Sequence, residues 1–444
     1  MSRPRGRYSL SLLVALLLGL SGMGNAQTMS STGTADVHLG VATCAGGPCH
    51  GAASTTKKNG VLQNEYLTWQ VHDKHAKAYT VLEGDLGKRI GANLGIKPTE
   101  SKECLVCHAD NVPPEQQGVQ FKISDGVGCE ACHGGAQRWL GDHVTGKTSH
   151  ADLVKNEGLY PTDRPVDRAK LCLQCHLGDE NHYITHRIMG AGHPRLPFEL
   201  QTFTQIQPAH FVIDDIYKKR KTVYQGAQFW AVGQAMALEK LAKSISEDKH
   251  QGNGVFPELV YFDCDSCHHP TSSLRWQKRA STGLGPGIPH FNDANAIMLR
   301  AIAGKVTPDL ASALNTDVRA LHQALSAGAG SPKETASHLA SVAEKIGDAL
   351  ATHQFTKADM HDMAMAVVRA STDGDTSDYA GAEQATMAFA SIIYTLNAEG
   401  MVNEGQYGAL KGALNQCYGA LQKEDSYDPV KFAAAAQAVS KVMP

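Results

Sequence analysis

Ten of the eleven cysteines in this 444-residue chain fall into five pairs, and a histidine follows each pair directly. Four pairs are Cys-x-x-Cys-His: Cys104/Cys107/His108, Cys129/Cys132/His133, Cys172/Cys175/His176 and Cys264/Cys267/His268. The fifth, Cys44-Ala-Gly-Gly-Pro-Cys49-His50, has four residues between its cysteines. Composition alone would supply roughly 0.01 copies of the regular pattern, so four copies constrain the chain strongly. The spacing has a chemical reason. Two thiols one short turn apart reach the two vinyl groups of one porphyrin, and the adjacent imidazole then lies under the iron. The pattern predicts haem c at five sites, with the four regular motifs as the minimum. The ten paired cysteines would hold the porphyrins, and His50, His108, His133, His176 and His268 would be the proximal iron ligands.

Other uses of cysteine explain less. Zinc ribbons carry two Cys-x-x-Cys pairs, and the pairs at Cys104 and Cys129 have nearly that separation, but zinc does not require a histidine after every pair. Disulfides account for even numbers and not for that histidine. At the wide motif a disulfide or an empty pair stays open beside haem. Cys417 stands alone, with no matching histidine, and reads as a free, partly buried thiol.

The first residues fit a protein made for export. Arg3, Arg5 and Arg7 precede an apolar run over Leu10–Leu20, and Gly24-Asn25-Ala26 supplies small residues for a peptidase. This predicts a signal peptide over 1–26, cleaved after Ala26. The alternative, a membrane anchor, needs a longer apolar run, and no second such run follows. No cysteine follows the cleavage point, which argues against a lipoprotein. Export places the chain in the periplasm or at the cell surface, where haem c is attached. The formal charge of −3 becomes about −6 once three arginines leave. That balance gives no support for nucleic acid binding.

The fold class expected is mainly α with much irregular structure: a loop-rich multihaem domain over 27–280, then an α-helical bundle over 290–444. Between the motifs the chain is rich in Gly, Pro and His, and porphyrin faces would replace missing apolar side chains. Short helical pieces are expected after the motifs and around Glu65 to Ala78. A clearer helix runs from Phe229 to Lys243, with Ala231, Val232, Met236, Leu238 and Leu241 as its contacts. The Gly/Pro-rich stretch Ser281–Pro289 marks a boundary. Beyond it, Ser331-Pro332-Lys333-Glu334 reads as a capping box with Pro at the first helical position, followed by Ala336, Leu339, Val342, Ile346 and Leu350 at helical spacing. Thr307-Pro308 and Asp428-Pro429 are further helix starts, and Ser371–Asp375 reads as a polar loop. About six helices without a haem motif are expected after Asn292.

Each iron takes a sixth ligand or keeps an open place, and the sixteen histidines outside the motifs are an ample supply. His72 and His75, three apart on a helix, would share a face. His143 and His150 follow the Cys129 motif, and His182, His186 and His193 follow the Cys172 motif. His269 adjoins His268 and cannot cap the same iron. His322, His338, His353 and His361 in the tail read as surface or hydrogen-bonded residues. Met189 and Met236 are axial candidates, although Met is more often packing. The run Lys218-Lys219-Arg220-Lys221 would pair haem propionates, dock a partner, or form a solvated charged face.

Four segments together resemble the cytochrome c-554 family of multihaem cytochromes: Gly40–Gly51, Trp69–Tyr79, Gly126–Gly134 and Cys264–Pro270. Ala191–Leu196 is similar to a segment of its larger relatives. The resemblance covers about residues 37–275. It implies closely stacked haems, mostly with two axial histidines, that relay electrons in the periplasm. By resemblance His75 and His143 match distal-ligand positions, and His193, His186 and His150 are more distant carry-overs. The chain departs from the type member in having five sites instead of four, a widened first motif and a helical tail.

Three functions follow. The first is electron transfer with redox partner proteins, in a protein with no transmembrane segment once the signal is removed. The alternative is a haem-based reductase or oxidase of a small nitrogen or sulfur compound at a five-coordinate haem, with surplus histidines and Arg195 as proton donors or anion clamps. The third is an assembly protein whose tail binds a redox partner.

Overall fold

Five helices pack on one central helix, Gly226–Glu247, and this decides how the rest is arranged. The structure is a computed structural model that describes residues 36–55, 61–179, 181–247, 257–269, 279–285 and 287–444. The expected signal peptide, Pro270 and Pro286 lie outside the described residues. The architecture is mainly α with much irregular structure, as expected, and among the described residues strand pairing is limited to two isolated bridges, His38 with Gln117 and Phe262 with Phe291. No helix among the described residues is long and apolar enough to cross a membrane.

The central helix extends the expected Phe229–Lys243 segment at both ends. Trp230, Ala231, Val232, Ala235, Met236 and Leu238 are all essentially inaccessible. A helix apolar on every side must be enclosed on every side. Pro165–His176, Leu200–Ile206, Ala294–Val306, Pro332–Thr352 and Tyr379–Ala398 all pack on it. Met236 is thereby committed to packing, against Gly347 of the Pro332–Thr352 helix.

From Ala294 onward the chain forms seven α-helices, one more than expected. Their starts are chemically written. Pro308, Pro332 and Pro429 occupy first positions, where no N–H is missed. Ser331 Oγ accepts from Glu334 N, without the reciprocal bond of a full capping box. Full boxes instead open the helices at Thr356/Asp359 and Asn403/Gln406. Ser371 and Thr372 belong to the end of the Lys357–Thr372 helix, so the polar loop starts later than expected.

Upstream of the central helix, helices are short. Three of them end on a motif histidine: Lys102–His108, Cys129–His133 and Pro165–His176. Three motifs therefore form the last turns of helices, and short helices also follow motifs as expected, Trp139–Thr145 after His133 and His186–Gly190 after His176. One turn places the two thiols on one side, three residues apart. The expected helix through His72 and His75 breaks between them. Glu65–His72 ends at Asp73, which is extended and caps a separate 3₁₀ turn, Lys74–Lys77.

Candidate functional site

The five motifs share one backbone closure. At the last regular motif His268 N donates to Cys264 O at 2.7 Å, and the three helical motifs have the same i to i−4 relation within their turns. The widened motif reaches it differently. His50 N donates to Cys44 O at 3.3 Å, while Cys49 N and Gly51 N both return to Gly46 O, at 2.9 and 3.0 Å. The two additional residues loop out, and histidine meets the first cysteine as in the regular motifs. A side chain at Gly51 would stand 2.0 Å from Ala45 O, so only glycine permits this return.

Four motif histidines face a second imidazole. His50 and His143 are 6.0 Å apart between ring centres, His108 and His193 6.3 Å, His176 and His75 6.0 Å, and His268 and His186 6.0 Å. Two imidazoles on opposite faces of one iron, each nitrogen about 2 Å from the metal, bring ring centres to about 6 Å. The spacing therefore fits haem. No sequence separation unites the pairs, which span 93, 85, 101 and 82 residues as read from the numbering.

Hydrogen bonds fix which nitrogen is free. Nδ1–H of His50 donates to Glu65 Oε2 at 2.9 Å, that of His75 to Asp73 Oδ1 at 2.8 Å, that of His108 to Ala78 O at 2.8 Å and that of His193 to Pro194 O at 2.8 Å. Each leaves Nε2 free to ligate, an arrangement of the kind that supports metal-bound histidine. The Glu65 bond outweighs burial and raises the His50 pKa. Burial, with His75 opposite, drives that of His176 to about 4. Phe198 stacks on His176 at 4.6 Å and Phe203 closes its edge at 5.7 Å.

His133 is the exception. Among the described residues no imidazole pairs with it at this spacing. Surrounding protein, and then His210 and Lys221, push its pKa down to about 4, yet its own surface is exposed.

The cysteines place the motifs against each other. Cys44 hydrogen-bonds Cys129, which lowers the pKa of Cys44 and raises that of Cys129, and Cys107 and Cys175 are joined in the same way. Burial, followed by the nearby Cys172, pushes Cys132 up to about 12. The motifs at Cys44, Cys129, Cys172 and Cys104 thus form a contiguous series in that order. No disulfide joins any of the eleven cysteines, and among the described residues no group of three or more His, Cys, Asp or Glu is arranged to hold a metal unaided. Cys417 is wholly buried, deeper than expected, and burial lifts its pKa to about 12.

Other candidates lie elsewhere. His150 faces Asp163, Nε2 to Oδ1 3.7 Å, and is not brought to a motif histidine. His182 donates to Asp179 at 2.8 Å, and His269 turns back to Asp265 O at 2.8 Å. His322, His338, His353 and His361 each contact an aspartate, in keeping with the reading of them as hydrogen-bonded. Lys218, Lys219 and Arg220 are exposed, while Lys221 turns inward, 3.9 Å from Asp163. Arg195 is held by Glu383 and Glu424 at 3.2 and 3.1 Å.

Sequence reasoning missed Glu65, Asp73 and His210. The one available signal was the string His72-Asp-Lys-His75, where a carboxylate adjoins two histidines.

Residues 43–134 match the family model described as cytochrome c554 and c-prime. Cytochrome c-554 of Nitrosomonas europaea is 27% identical over 169 residues, covering 34% of this chain. The match spans 66% of that relative, just under two thirds of its length. No solved structure matches. The family match holds three of the five motifs, including the widened one, and supports the resemblance read from the sequence.

Proposed function

We propose that this chain is a periplasmic electron-transfer cytochrome holding five haem c groups, as its similarity to the cytochrome c-554 family and its four imidazole pairs lead one to expect. The observation that carries this reading is the spacing of 6.0–6.3 Å between motif and non-motif imidazoles. Cys44, Cys49, Cys104, Cys107, Cys129, Cys132, Cys172, Cys175, Cys264 and Cys267 would form the thioethers. His50, His108, His133, His176 and His268 would be proximal, with His143, His193, His75 and His186 opposite four of them. When bound, haem c supplies an iron couple that takes and gives single electrons.

The residues' own contribution is geometry and charge. Glu65 and Asp73 hold imidazoles in one tautomer and increase their basicity, which favours the ferric state. Closeness of the Cys44, Cys129, Cys172 and Cys104 motifs keeps successive sites adjacent. In this reading residues 1–26 direct export, 27–280 hold the haems, and 290–444 brace them or meet a redox partner protein.

The second reading, turnover of a small nitrogen or sulfur compound, has His133 as its natural place, since that histidine lacks a ring at the common spacing. Intact mass with optical and paramagnetic resonance spectra tests both readings. The expected protein is heavier than its polypeptide by five haems and wholly low-spin. A colourless chain defeats the proposal. A high-spin ferric signal that responds to cyanide favours turnover.

A further inference from the structure

One tail helix, Tyr379–Ala398, meets the surroundings of three motifs within its first two turns. Its first residue, Tyr379, donates its N–H to Asp265 Oδ2 at 2.9 Å, and Asp265 is a spacer between Cys264 and Cys267. One turn on, Glu383 Oε2 accepts from both terminal nitrogens of Arg195 at 3.2 Å, and the guanidinium lies 5.4 Å from the centre of the Tyr379 ring. Arg195 shares a peptide bond with Pro194, whose carbonyl accepts from His193 Nδ1 at 2.8 Å. Gln384, 7% exposed, donates from Nε2 to Phe198 O at 2.8 Å, and Phe198 stacks on His176 with ring centres 4.6 Å apart. Residues 193–199 have no regular secondary structure, so their backbone polar groups need partners from elsewhere. The helix follows them as far as Ser391, whose Oγ donates to Glu199 Oε2 at 3.1 Å.

We propose that the helix Tyr379–Ala398 is a positioning element for three haem sites, with Tyr379, Glu383 and Gln384 as its positioning residues. Tyr379 acts on the Cys264 site through Asp265. Glu383 acts on the Cys104 site through Arg195 and the Pro194 carbonyl that fixes His193. Gln384 acts on the Cys172 site through Phe198 and His176. This rests on the haem reading above, and it gives the tail a bracing role within it. A site held to a rigid helix keeps its geometry better than one left to a loop. Ring orientation is the quantity at stake. The imidazoles meet at 28° in the Cys264 site, 80° in the Cys104 site and 88° in the Cys172 site. The paramagnetic resonance of a low-spin ferric haem depends on that angle, so near-parallel and perpendicular sites give distinguishable signals.

The test uses the full-length, haem-loaded protein, with all measurements made on variants that keep the parent's haem mass and far-ultraviolet dichroism. Tyr379→Pro removes the N–H at a first helical position, where proline leaves the helix intact. It is expected to change a near-parallel signal and shift the midpoint potential of that site. Tyr379→Ala, which keeps the N–H, leaves that signal in place. Glu383→Ala and Gln384→Leu are each expected to change one perpendicular signal and shift one potential, a different one in each variant. Gln384→Glu, which keeps the oxygen that Gln234 Nε2 meets at 2.9 Å, reads the same site where Gln384→Leu does not fold. A variant whose own site keeps the parent's signal and potential overturns its assignment. A variant that moves all the sites together also overturns the proposal, because the helix would then be packing alone. A parent protein without haem mass would instead defeat the haem reading itself, so the two failures are distinguishable.

Discussion

Glu130 occupies a spacer position of the third motif, between Cys129 and Cys132, and is 3% exposed. Its Oε1 accepts from Leu39 N and Ala136 N at 2.7 and 2.8 Å, and Oε2 from Gly40 N at 2.7 Å. One carboxylate thus ties the segment leading into Cys44 to the turn after His133. Hydrogen bonds to a charged acceptor contribute about 1.5–3 kcal/mol each, and removing the acceptor leaves donors stranded. Glu130→Ala is therefore expected to destabilise the haem-loaded protein by about 3 kcal/mol or more, read as a lower denaturant midpoint at unchanged slope. A midpoint within error of the parent would show the staple to be idle. The paired cysteines and their histidines stand out by spacing because, in the haem reading, one cofactor dictates it. Glu130, Glu65, Asp73 and His210 were not, because their partners are far away along the chain. His143 and His75 were reached through resemblance, and the structure brings both to a motif histidine.

At the scale of the element, legibility followed local chemistry. Pro308, Pro332 and Pro429 announced helix starts that the structure keeps, since a proline at a first position needs nothing from elsewhere. The helix expected through His75 failed because Asp73 spends its carboxylate on His75 and His210, holding the backbone extended where periodicity alone continued it. Close approaches of helices are just as invisible in a sequence. Gly233 of the central helix lies where a Cβ would stand 2.7 Å from Leu200 Cβ, on the helix whose Phe203 closes against His176. Gly233→Val must push the two helices apart, costing about 1–3 kcal/mol. Gly412, mid-helix with nothing near its added carbon, gives the opposite sign: Gly412→Ala gains about 0.5–1 kcal/mol. Denaturant midpoints moving in opposite directions are the expected result, and a neutral Gly233→Val would mean the contact gives way freely.

Over the whole molecule, the apolar cluster runs from Ala169 and Leu173 in the Cys172 motif helix to Val439 and Met443 at the chain's end. Polar bonds cross the same ground. Gln225 Nε2 donates to Phe355 O at 3.1 Å while its Oε1 accepts from Phe355 N at 2.8 Å, and Gln384 Nε2 donates to Phe198 O at 2.8 Å. Arg279, 2% exposed, lies 2.7 Å from Asp293 and 3.4 Å from Asp378. The Gly/Pro-rich stretch at Ser281–Pro289 drew attention in the sequence as a join, because breakers are local signals. The central helix precedes that stretch and Pro332–Thr352 follows it, yet each buries the other's apolar face. An apolar surface of that kind cannot be bared without dragging its partner into solvent, so haem-bearing and tail segments should lose structure together. Soret absorbance, reporting on the imidazole pairs, and far-ultraviolet dichroism, dominated by the tail helices, are expected to trace one coincident transition in guanidinium. Two transitions, with dichroism falling while the Soret band holds, would mean that the shared core contributes little to holding the sites, and that the tail is an appendage.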